Sequence, residues 1–211
     1  MINQRPEIPV DLAVPRETFV KLRALEELVR RWNPAVNLIS RSTAPLIWER
    51  HILDSLQLCS WISAETSQWV DLGSGGGFPG LVVAVIASQL WPQLEVTLVD
   101  SDHRKAAFLR EAGRVLDVRC RVVVGRIEEI PPLHADILSA RALADLATLL
   151  AFGERHLRAD GLALFLKGAR YEDELNRARM TWSFKVDVVP SLTDVGAAVL
   201  AVKSIKSTRH E

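Results

Sequence analysis

Glycines crowd one point of this chain, and their position constrains the fold more than any other feature. Five of the eleven glycines lie between Gly73 and Gly80. An apolar run at residues 69–72 precedes them, and a longer apolar run at residues 81–90 follows. Glycine adopts positive φ and lets the backbone approach another molecule closely, so this pattern predicts a strand, a ligand-binding turn and a helix in succession.

Two kinds of apolar segment alternate after the glycine turn. Strand-like runs occupy residues 69–72, 94–99, 121–124, 136–138, 162–166, 184–189 and 197–202. Helical patterns occupy residues 78–90, 102–116, 127–130 and 144–156. Because apolar strands joined by helices require right-handed crossovers, we predict an α/β fold with a mainly parallel, seven-stranded sheet and helices on both faces. The short connection between the last two strands predicts an antiparallel hairpin at one edge.

The part of the chain before the glycine turn carries only helical patterns. Apolar residues recur at helical spacing from Phe19 to Trp32, where Asn33-Pro34 should end the helix, and again from Pro45 to about Ile62. We therefore predict a helical extension at residues 1–66 packed on the core. An α/β domain at residues 67–205 and a basic tail at residues 206–211 complete the chain.

Composition limits the classes of partner and the cellular compartment that we expect for the chain. Lysine plus arginine number 26, as do aspartate plus glutamate, so net charge does not favour nucleic acid. Neither a secretory leader nor a continuous apolar run long enough to span a bilayer is apparent. Cys59 and Cys120 form no CxxC pair. We expect a soluble, cytoplasmic protein without a metal site.

Two aspartates at strand ends indicate the kind of ligand. Asp100 ends the second strand, where its carboxylate can accept hydrogen bonds from both hydroxyls of a ribose. The stretch Gly75–Gly80 also fits the G-x-G-x-x-G pattern of nicotinamide-dependent dehydrogenases. However, Asp71 at the end of the first strand would face a pyrophosphate unfavourably, and it suits a ligand that carries an ammonium and a sulfonium. Asp71-Leu72-Gly73-Ser74-Gly75-Gly76-Gly77 and Leu98-Val99-Asp100 resemble the first two motifs of the Rossmann-like class I S-adenosylmethionine-dependent methyltransferases.

The segment at the end of the fourth strand helps to distinguish which kind of atom accepts the methyl group. It reads Ser139-Ala140-Arg141-Ala142, without the Asn/Asp-Pro-Pro-aromatic loop typical of enzymes that methylate exocyclic amines of bases. Neither cysteine stands in the Pro-Cys setting needed for addition to carbon 5 of a pyrimidine. The pattern favours an acceptor that already has a lone pair, such as a ring nitrogen, because no general base is then required. Methyl transfer to such an atom is largely a matter of positioning.

Six short motifs together resemble those of a narrower family. They are Trp32-Asn33-x-x-Val36-Asn37-Leu38, Arg50-His51-Ile52-Leu53-Asp54-Ser55-Leu56, the glycine turn with its Phe78-Pro79-Gly80 ending, Val99-Asp100-Ser101, Ser139-Ala140-Arg141-Ala142 and Leu166-Lys167-Gly168. From about Trp32 to Val202 the chain resembles the bacterial small-subunit ribosomal RNA methyltransferase G family, also called glucose-inhibited division protein B. The resemblance implies methyl transfer from S-adenosylmethionine to N7 of one guanosine in the decoding-region loop of 16S rRNA.

The resemblance also implies where the cofactor binds. The family's contacts fall on Gly73 and Phe78 in the turn, Ile127 and Glu128 after the third strand, and Arg141 after the fourth. Ile127 replaces a commoner alanine, and a backbone contact to the adenine edge would tolerate that change. Gly75 belongs to the same turn, and Asp100 joins the set through the ribose argument.

Two cationic residues are candidates for orienting the acceptor base. Guanine exposes O6 beside N7, so a cation that donates to O6 would hold the ring and leave N7 to attack. Arg141 and Lys167 follow predicted strand ends, and we expect one to orient guanine and the other to contact phosphate or cofactor. Asn37, His51 and Asp54 are candidates for substrate binding. Capping or bracing of the helices is the alternative for them, and the pattern favours it for His51 and Asp54.

Other functions would share the same cofactor residues. The chain could methylate a small molecule, or it could bind S-adenosylmethionine without catalysis and regulate a partner, and a dehydrogenase is a more distant alternative. For the rRNA methyltransferase, the substrate would be 16S rRNA, the small ribosomal subunit or an assembly intermediate. We expect it to act as a monomer.

Overall fold

A computed structural model describes residues 15–208 and shows one seven-stranded sheet with helices on both faces, as predicted. The strands are β1 (Gln68–Leu72), β2 (Glu95–Asp100), β3 (Cys120–Val124), β4 (Ala135–Arg141), β5 (Leu157–Lys167), β6 (Trp182–Pro190) and β7 (Ala198–Ser207). The helices are α1 (Arg16–Val36), α2 (Asp54–Leu56), α3 (Gly80–Leu90), α4 (His103–Val115), α5 (Leu146–His156) and α6 (Tyr171–Ala178).

The strand order places a crevice beside the glycine turn. Across the sheet the order is β3-β2-β1-β4-β5-β7-β6, and the first five of these strands are parallel. β7 lies antiparallel between β5 and β6, so the predicted hairpin at one edge is confirmed. The chain direction of the crossovers reverses between β1 and β4, which is where parallel α/β sheets bind ligands.

Alternate residues of the strands supply two hydrophobic cores. Trp69 and Leu98 face α1, α3 and α4, whereas Val70 and Val99 face α5 and α6. Leu25 of α1 belongs to the first core, together with α3. The described part of the helical extension therefore shares a core with the α/β domain, because their apolar side chains pack together without a break.

The first helix runs further than predicted. It passes Pro34, which lacks only the hydrogen bond that its amide would have donated to the carbonyl of Arg30. It ends at Val36 because Asn37 takes φ 58°, a left-handed conformation that asparagine tolerates. The amide of Asn37 donates to the carbonyl of Asn33 at 2.9 Å and closes the last turn.

The second predicted helix is broken into turns of different pitch. A 3₁₀ turn at Ala44–Leu46, a π-helical turn at Trp48–Leu53, α2 and a 3₁₀ turn at Gln57–Trp61 follow one another. Within this stretch the hydroxyl of Ser55 donates to the backbone carbonyl of His51 at 2.6 Å. Bonding to the carbonyl four residues back bends helices, and π-helical turns occur often at functional sites. The predicted position was right and the predicted regularity wrong.

Three further differences concern short elements. The predicted helix at residues 127–130 is a single turn, in which the carbonyl of Arg126 accepts from the amides of Glu129 and Ile130. Helix α6 was not predicted, because eight residues are too few for a clear period. β7 extends to Ser207, so Lys206 lies in a strand rather than in the predicted tail.

Parts of the predicted extension and tail, residues 1–14 and 209–211, lie outside the described residues. Across residues 15–208, no helix has both the length and the apolar character required to traverse a bilayer. In the same part of the chain, no group of three or more His, Cys, Asp or Glu side chains could hold a metal ion.

Candidate active site

A cavity of about 520 Å³ opens at the carboxyl ends of β1, β4 and β5. The glycine turn, the π-helical turn and the β6–β7 loop at residues 191–197 enclose it together with the ends of the strands. Its volume is in the range of small-molecule sites. Seven of the predicted site residues line it: Gly73, Gly75, Phe78, Arg141, Lys167, His51 and Asp54.

The glycine turn presents bare backbone to this cavity. Gly73 and Gly75 have φ of 64° and 53°, so both adopt the left-handed conformation that favours glycine. The amide of Ser74 donates to the carbonyl of Val99 at 2.9 Å and fixes the turn against β2. Because neither glycine carries a side chain into the cavity, a ligand can contact the backbone directly. The turn therefore fits a nucleoside-containing cofactor such as S-adenosylmethionine.

Asp71 does not face the cavity, and its predicted contact with a cationic ligand is wrong. Its carboxylate is completely buried and accepts hydrogen bonds from the Ser139 hydroxyl at 2.7 Å and the Gly80 amide at 3.2 Å. Burial raises the pKa of Asp71 to about 6. The side chain points to the α3 face of the sheet, where it ties β1 to β4 and to the start of α3.

Asp100 lies directly behind the turn. Its two carboxylate oxygens accept from the amides of Gly75 and Asp102, each at 2.8 Å. It does not line the cavity. A carboxylate has about four acceptor sites, so Asp100 keeps capacity for ribose hydroxyls while it positions the turn. Its contact with the ribose stays a prediction.

The loop after β3 continues the same edge beyond the cavity. The Gly125 amide donates to the backbone carbonyl of Asp100 at 3.2 Å, which brings Ile127 and Glu128 to the side of β2. Neither of these residues lines the cavity, and their contacts with the adenine stay predictions. The carbonyl of Ile127 lies 2.9 Å from Nε2 of the fully buried His156, at the end of α5. His156 thus holds the loop from behind, a role that no sequence motif indicated.

Arg141 connects β4 to the π-helical turn. Its guanidinium donates to Nδ1 of His51 at 2.6 Å and to the carbonyl of Arg50 at 3.0 Å, and it lies 3.5 Å from a carboxylate oxygen of Asp54. The His51 ring stacks on Phe78 with 5.0 Å between ring centroids. Three of the predicted site residues therefore form one bonded group at the cavity, in which His51 and Asp54 support Arg141.

The buried position of His51 makes the stability of the protein sensitive to acid. Burial, together with the positive charges of Arg141 and Arg50, lowers the pKa of His51 to about 3. In the unfolded chain a histidine titrates near pH 6.5, so below that pH the unfolded state binds a proton that the folded state excludes. This contribution to stability is present above pH 6.5 and is lost as the pH falls toward 3.

Replacing His51 by glutamine should remove that dependence while retaining an acceptor for Arg141. We expect the Tm of the wild type to fall more steeply than that of His51→Gln between pH 7 and pH 4. The contribution of Asp71 to stability changes in the opposite direction over part of this pH range. Because its pKa is raised to about 6, protonation of Asp71 favours the folded state as the pH falls below that value. It is common to both proteins and cancels in the comparison. Parallel Tm curves would show that His51 is not held neutral.

Lys167 is held at the opposite wall of the cavity. Its ammonium pairs with Glu174 at 2.6 Å and donates to the carbonyl of Ala144 at 2.9 Å. The same carboxylate of Glu174 accepts from the Leu146 amide at 2.8 Å, which joins α6 to the start of α5. An ammonium has three donors, so Lys167 retains one N–H. Glu174 was missed because α6 was not predicted.

Each carboxylate that lines the cavity is paired with a cation. Asp54 faces Arg141, Glu174 faces Lys167, and Asp194 of the β6–β7 loop faces Arg50 at 2.9 Å. Among residues 15–208 the cavity therefore presents no free carboxylate that could act as a general base. The loop partners of the π-helical turn were missed, because no local pattern links residues that distant in sequence.

Asn37 is the predicted substrate-binding residue that the structure places elsewhere. It is exposed at the end of α1 and does not line the cavity, whereas its neighbours Leu38 and Ile39 do. Its left-handed φ explains the residue type, because asparagine is one of the few residues that adopt this conformation readily. It serves as a helix cap, and a contact of this exposed side chain with the substrate stays a prediction.

Comparisons with known proteins point to a single family. The sequence model of a family described as rRNA small subunit methyltransferase G matches residues 18–200. The ribosomal RNA small subunit methyltransferase G of Ruegeria pomeroyi is 48% identical over 194 residues, which cover 92% of this chain and 95% of the relative. The protein of the same name from Paramagnetospirillum magneticum is 44% identical over 205 residues, which cover 97% and 98%.

Solved structures agree on the fold. An S-adenosylmethionine-dependent methyltransferase from Aquifex aeolicus superposes with a TM-score of 0.57 at 15% identity, covering 75% of this chain and 93% of that one. A methyltransferase from Geobacter sulfurreducens gives 0.55 at 18% identity, covering 87% and 88%. The predicted class I methyltransferase fold is confirmed, and with the family match so is S-adenosylmethionine as the cofactor.

Proposed function

The chain belongs to the rRNA small subunit methyltransferase G family, and from that premise we propose that it methylates N7 of one guanosine in the decoding-region loop of 16S rRNA. Family membership makes it an S-adenosylmethionine-dependent methyltransferase of small-subunit rRNA. The proposal adds which atom accepts the methyl group and in which part of the rRNA.

The pairing of the cavity carboxylates is the observation that supports a ring nitrogen. When bound, S-adenosylmethionine supplies a methyl group on a sulfonium, and transfer of that group to an uncharged ring nitrogen moves a positive charge and releases no proton. Asp54, Glu174 and Asp194 are all ion-paired, and His51 already accepts from Arg141. A hydroxyl or amine acceptor would need a base to remove its proton, and these groups are committed elsewhere.

Lys167 is the residue that we propose to orient the guanine. Its ammonium keeps one N–H after bonding Ala144 and Glu174, and O6 of guanine accepts such a donor while N7 stays accessible. We place Arg141 against the cofactor, at the wall that it shares with Phe78, where its charge can meet the cofactor carboxylate. Gly73 and Gly75 would hold the cofactor through their backbone.

The modified atom can be identified directly. The full chain is incubated with methyl-labelled S-adenosylmethionine and with either purified 16S rRNA or small subunits, and labelled nucleosides are identified by mass and mapped by primer extension. We expect N7-methylguanosine at a single decoding-region position. Label in another nucleoside would contradict the assignment to N7, and label in small molecules alone would favour the small-molecule alternative.

Replacing Lys167 by methionine should lower kcat while the affinity for S-adenosylmethionine stays near that of the wild type. One charge-assisted hydrogen bond to O6 corresponds to about 1.5–3 kcal/mol, so we expect a loss of roughly 10- to 150-fold. The substitution also leaves the carboxylate of Glu174 without its partner. The double variant Lys167→Met, Glu174→Gln removes that unpaired charge and is the matched control for stability. Near-normal turnover of Lys167→Met would remove Lys167 from the acceptor site.

A further inference from the structure

The charges of this neutral chain are unevenly distributed, and one strip of arginines leads away from the active-site cavity. Residues 102–121 carry six cations against three carboxylates, although the whole chain has 26 of each charge. The cations are Arg104, Lys105, Arg110, Arg114, Arg119 and Arg121. We call them the basic strip. They lie on α4, on the turn that follows it and on β3, which is an edge strand of the sheet.

The strip begins at the cavity itself. Lys105 lines the cavity, and it stands in the first turn of α4, which Asp102 caps by accepting from the backbone amides of Arg104 and Lys105. Helix α4 has 13 residues, so it extends about 20 Å from the carboxyl edge of the sheet toward the opposite edge. Continuity with the cavity distinguishes this surface from the lysines of β6 and β7, none of which lines the cavity.

The strip ends in a second hollow. Arg110, Arg114 and Arg119 line a depression of about 500 Å³ between the end of α4 and the start of β3. The ammonium of Lys21 in α1 donates to the carbonyl of Asp117 at the same place, at 3.1 Å. Cations from three separate elements therefore converge on one concave surface.

Most of these cations are available to a partner. Within the described residues, Arg104 pairs with Asp102 and Arg114 with Glu111. Lys105, Arg110, Arg119 and Arg121 form no ion pair there, and the three arginines among them are exposed. Of these, Arg110 and Arg119 line the hollow, and Arg121 lies beside it on the edge strand. Unpaired arginines on a concave surface attract a polyanion, because the guanidinium fork matches phosphate oxygens.

We propose that the basic strip binds the phosphate backbone of the rRNA substrate on the side of the target guanosine that faces α4. The proposal rests on the proposed function, since it assumes that the guanosine occupies the cavity. A stacked strand that leaves the cavity along α4 would pass about six phosphates over about 20 Å. The strip explains how a protein of zero net charge can hold RNA: residues 102–121 carry three more cations than carboxylates, and acidic residues elsewhere in the chain balance this local excess.

The test removes three strip charges without breaking an ion pair. Arg110, Arg119 and Arg121 are replaced together by glutamine, and the control replaces Arg179, Lys185 and Lys206 at the opposite side of the sheet. Both variants lose three positive charges. We measure KM for rRNA, kcat, the Kd of S-adenosylmethionine and Tm, at several salt concentrations.

We expect the strip variant to raise KM for rRNA at least tenfold, with kcat, cofactor Kd and Tm close to wild type. The slope of log affinity against log salt should fall by about two to three, roughly one for each phosphate that the variant no longer neutralises. An unchanged KM, or an equal rise in the control variant, would overturn the proposal. Failure of the proposed function is separate, because it would appear in the wild type as absence of N7-methylguanosine.

Discussion

Replacing Arg141 by glutamine is expected to lower kcat/KM for rRNA methylation at least a hundredfold while the protein stays folded. The guanidinium bonds Nδ1 of His51 and the carbonyl of Arg50, and it faces the carboxylate of Asp54. Glutamine cannot reach all three partners, so the π-helical turn loses its link to β4. Loss of one preorganised donor costs 10²–10³ in rate, and a displacement of about 1 Å costs a similar factor. Methyl incorporation into rRNA measures the effect.

Two observations separate a site defect from unfolding in this variant. Arg141→Lys keeps the charge and loses the forked geometry, so its activity should lie between those of the wild type and Arg141→Gln. The charge of Arg141 is one cause of the low pKa of His51, so that pKa should rise in Arg141→Gln, and NMR titration of the His51 ring would measure the rise. Turnover within threefold of wild type in Arg141→Gln would show that the guanidinium is not needed.

Replacing Gly80 by alanine should destabilise the protein by about 3 kcal/mol and weaken cofactor binding with it. A methyl group at this position would lie 2.3 Å from Cδ2 of Leu98 and 2.8 Å from Cβ of Asp71. Both neighbours are completely buried side chains of the sheet, so the start of α3 must move away from β1. The adjoining glycine turn would move as well. For a chain of this size the expected fall in Tm is roughly 6–12 °C.

Gly168 provides the matched control for this substitution. It follows the carboxyl end of β5, and a methyl group there would meet no atom within 4 Å. Its φ lies outside the left-handed region, so Gly168→Ala should leave Tm unchanged or raise it slightly, by restricting the unfolded chain. Equal Tm values for Gly80→Ala and Gly168→Ala would contradict the close packing of α3 on β1.

The predictions from the sequence succeed where local pattern and topology suffice. Alternating apolar runs correctly predicted the sheet, its parallel part and the edge hairpin, because each strand shows its own period. The glycine turn and the strand-end residues Arg141 and Lys167 were correctly brought to one cavity, since the carboxyl ends of parallel strands meet at one edge.

The wrong predictions concern side chains whose bonding partners are distant in sequence, so that the local pattern does not indicate them. Asp71 could face either the ligand or α3, and the Gly80 amide and Ser139 hydroxyl decide in favour of α3. Asn37 has the residue type of a base-binding group and also that of a left-handed cap, and the structure shows the cap outside the cavity. Two bonds join the π-helical region to the β6–β7 loop, one between Asp54 and Thr193 and one between Arg50 and Asp194. No sequence motif predicts either bond.

The bonds between the π-helical region and the β6–β7 loop also have a consequence for synthesis, because the site can be completed only after both segments have been made. Arg50 and Asp194 are separated by 144 positions, and Asp54 and Thr193 by 139. A nascent chain that has already displayed its entire glycine turn still lacks one wall of the cavity until the hairpin of β6 and β7 emerges. Premature termination before residue 194 therefore yields a product that carries the most recognisable motif of the enzyme and lacks the loop that closes one wall of its site.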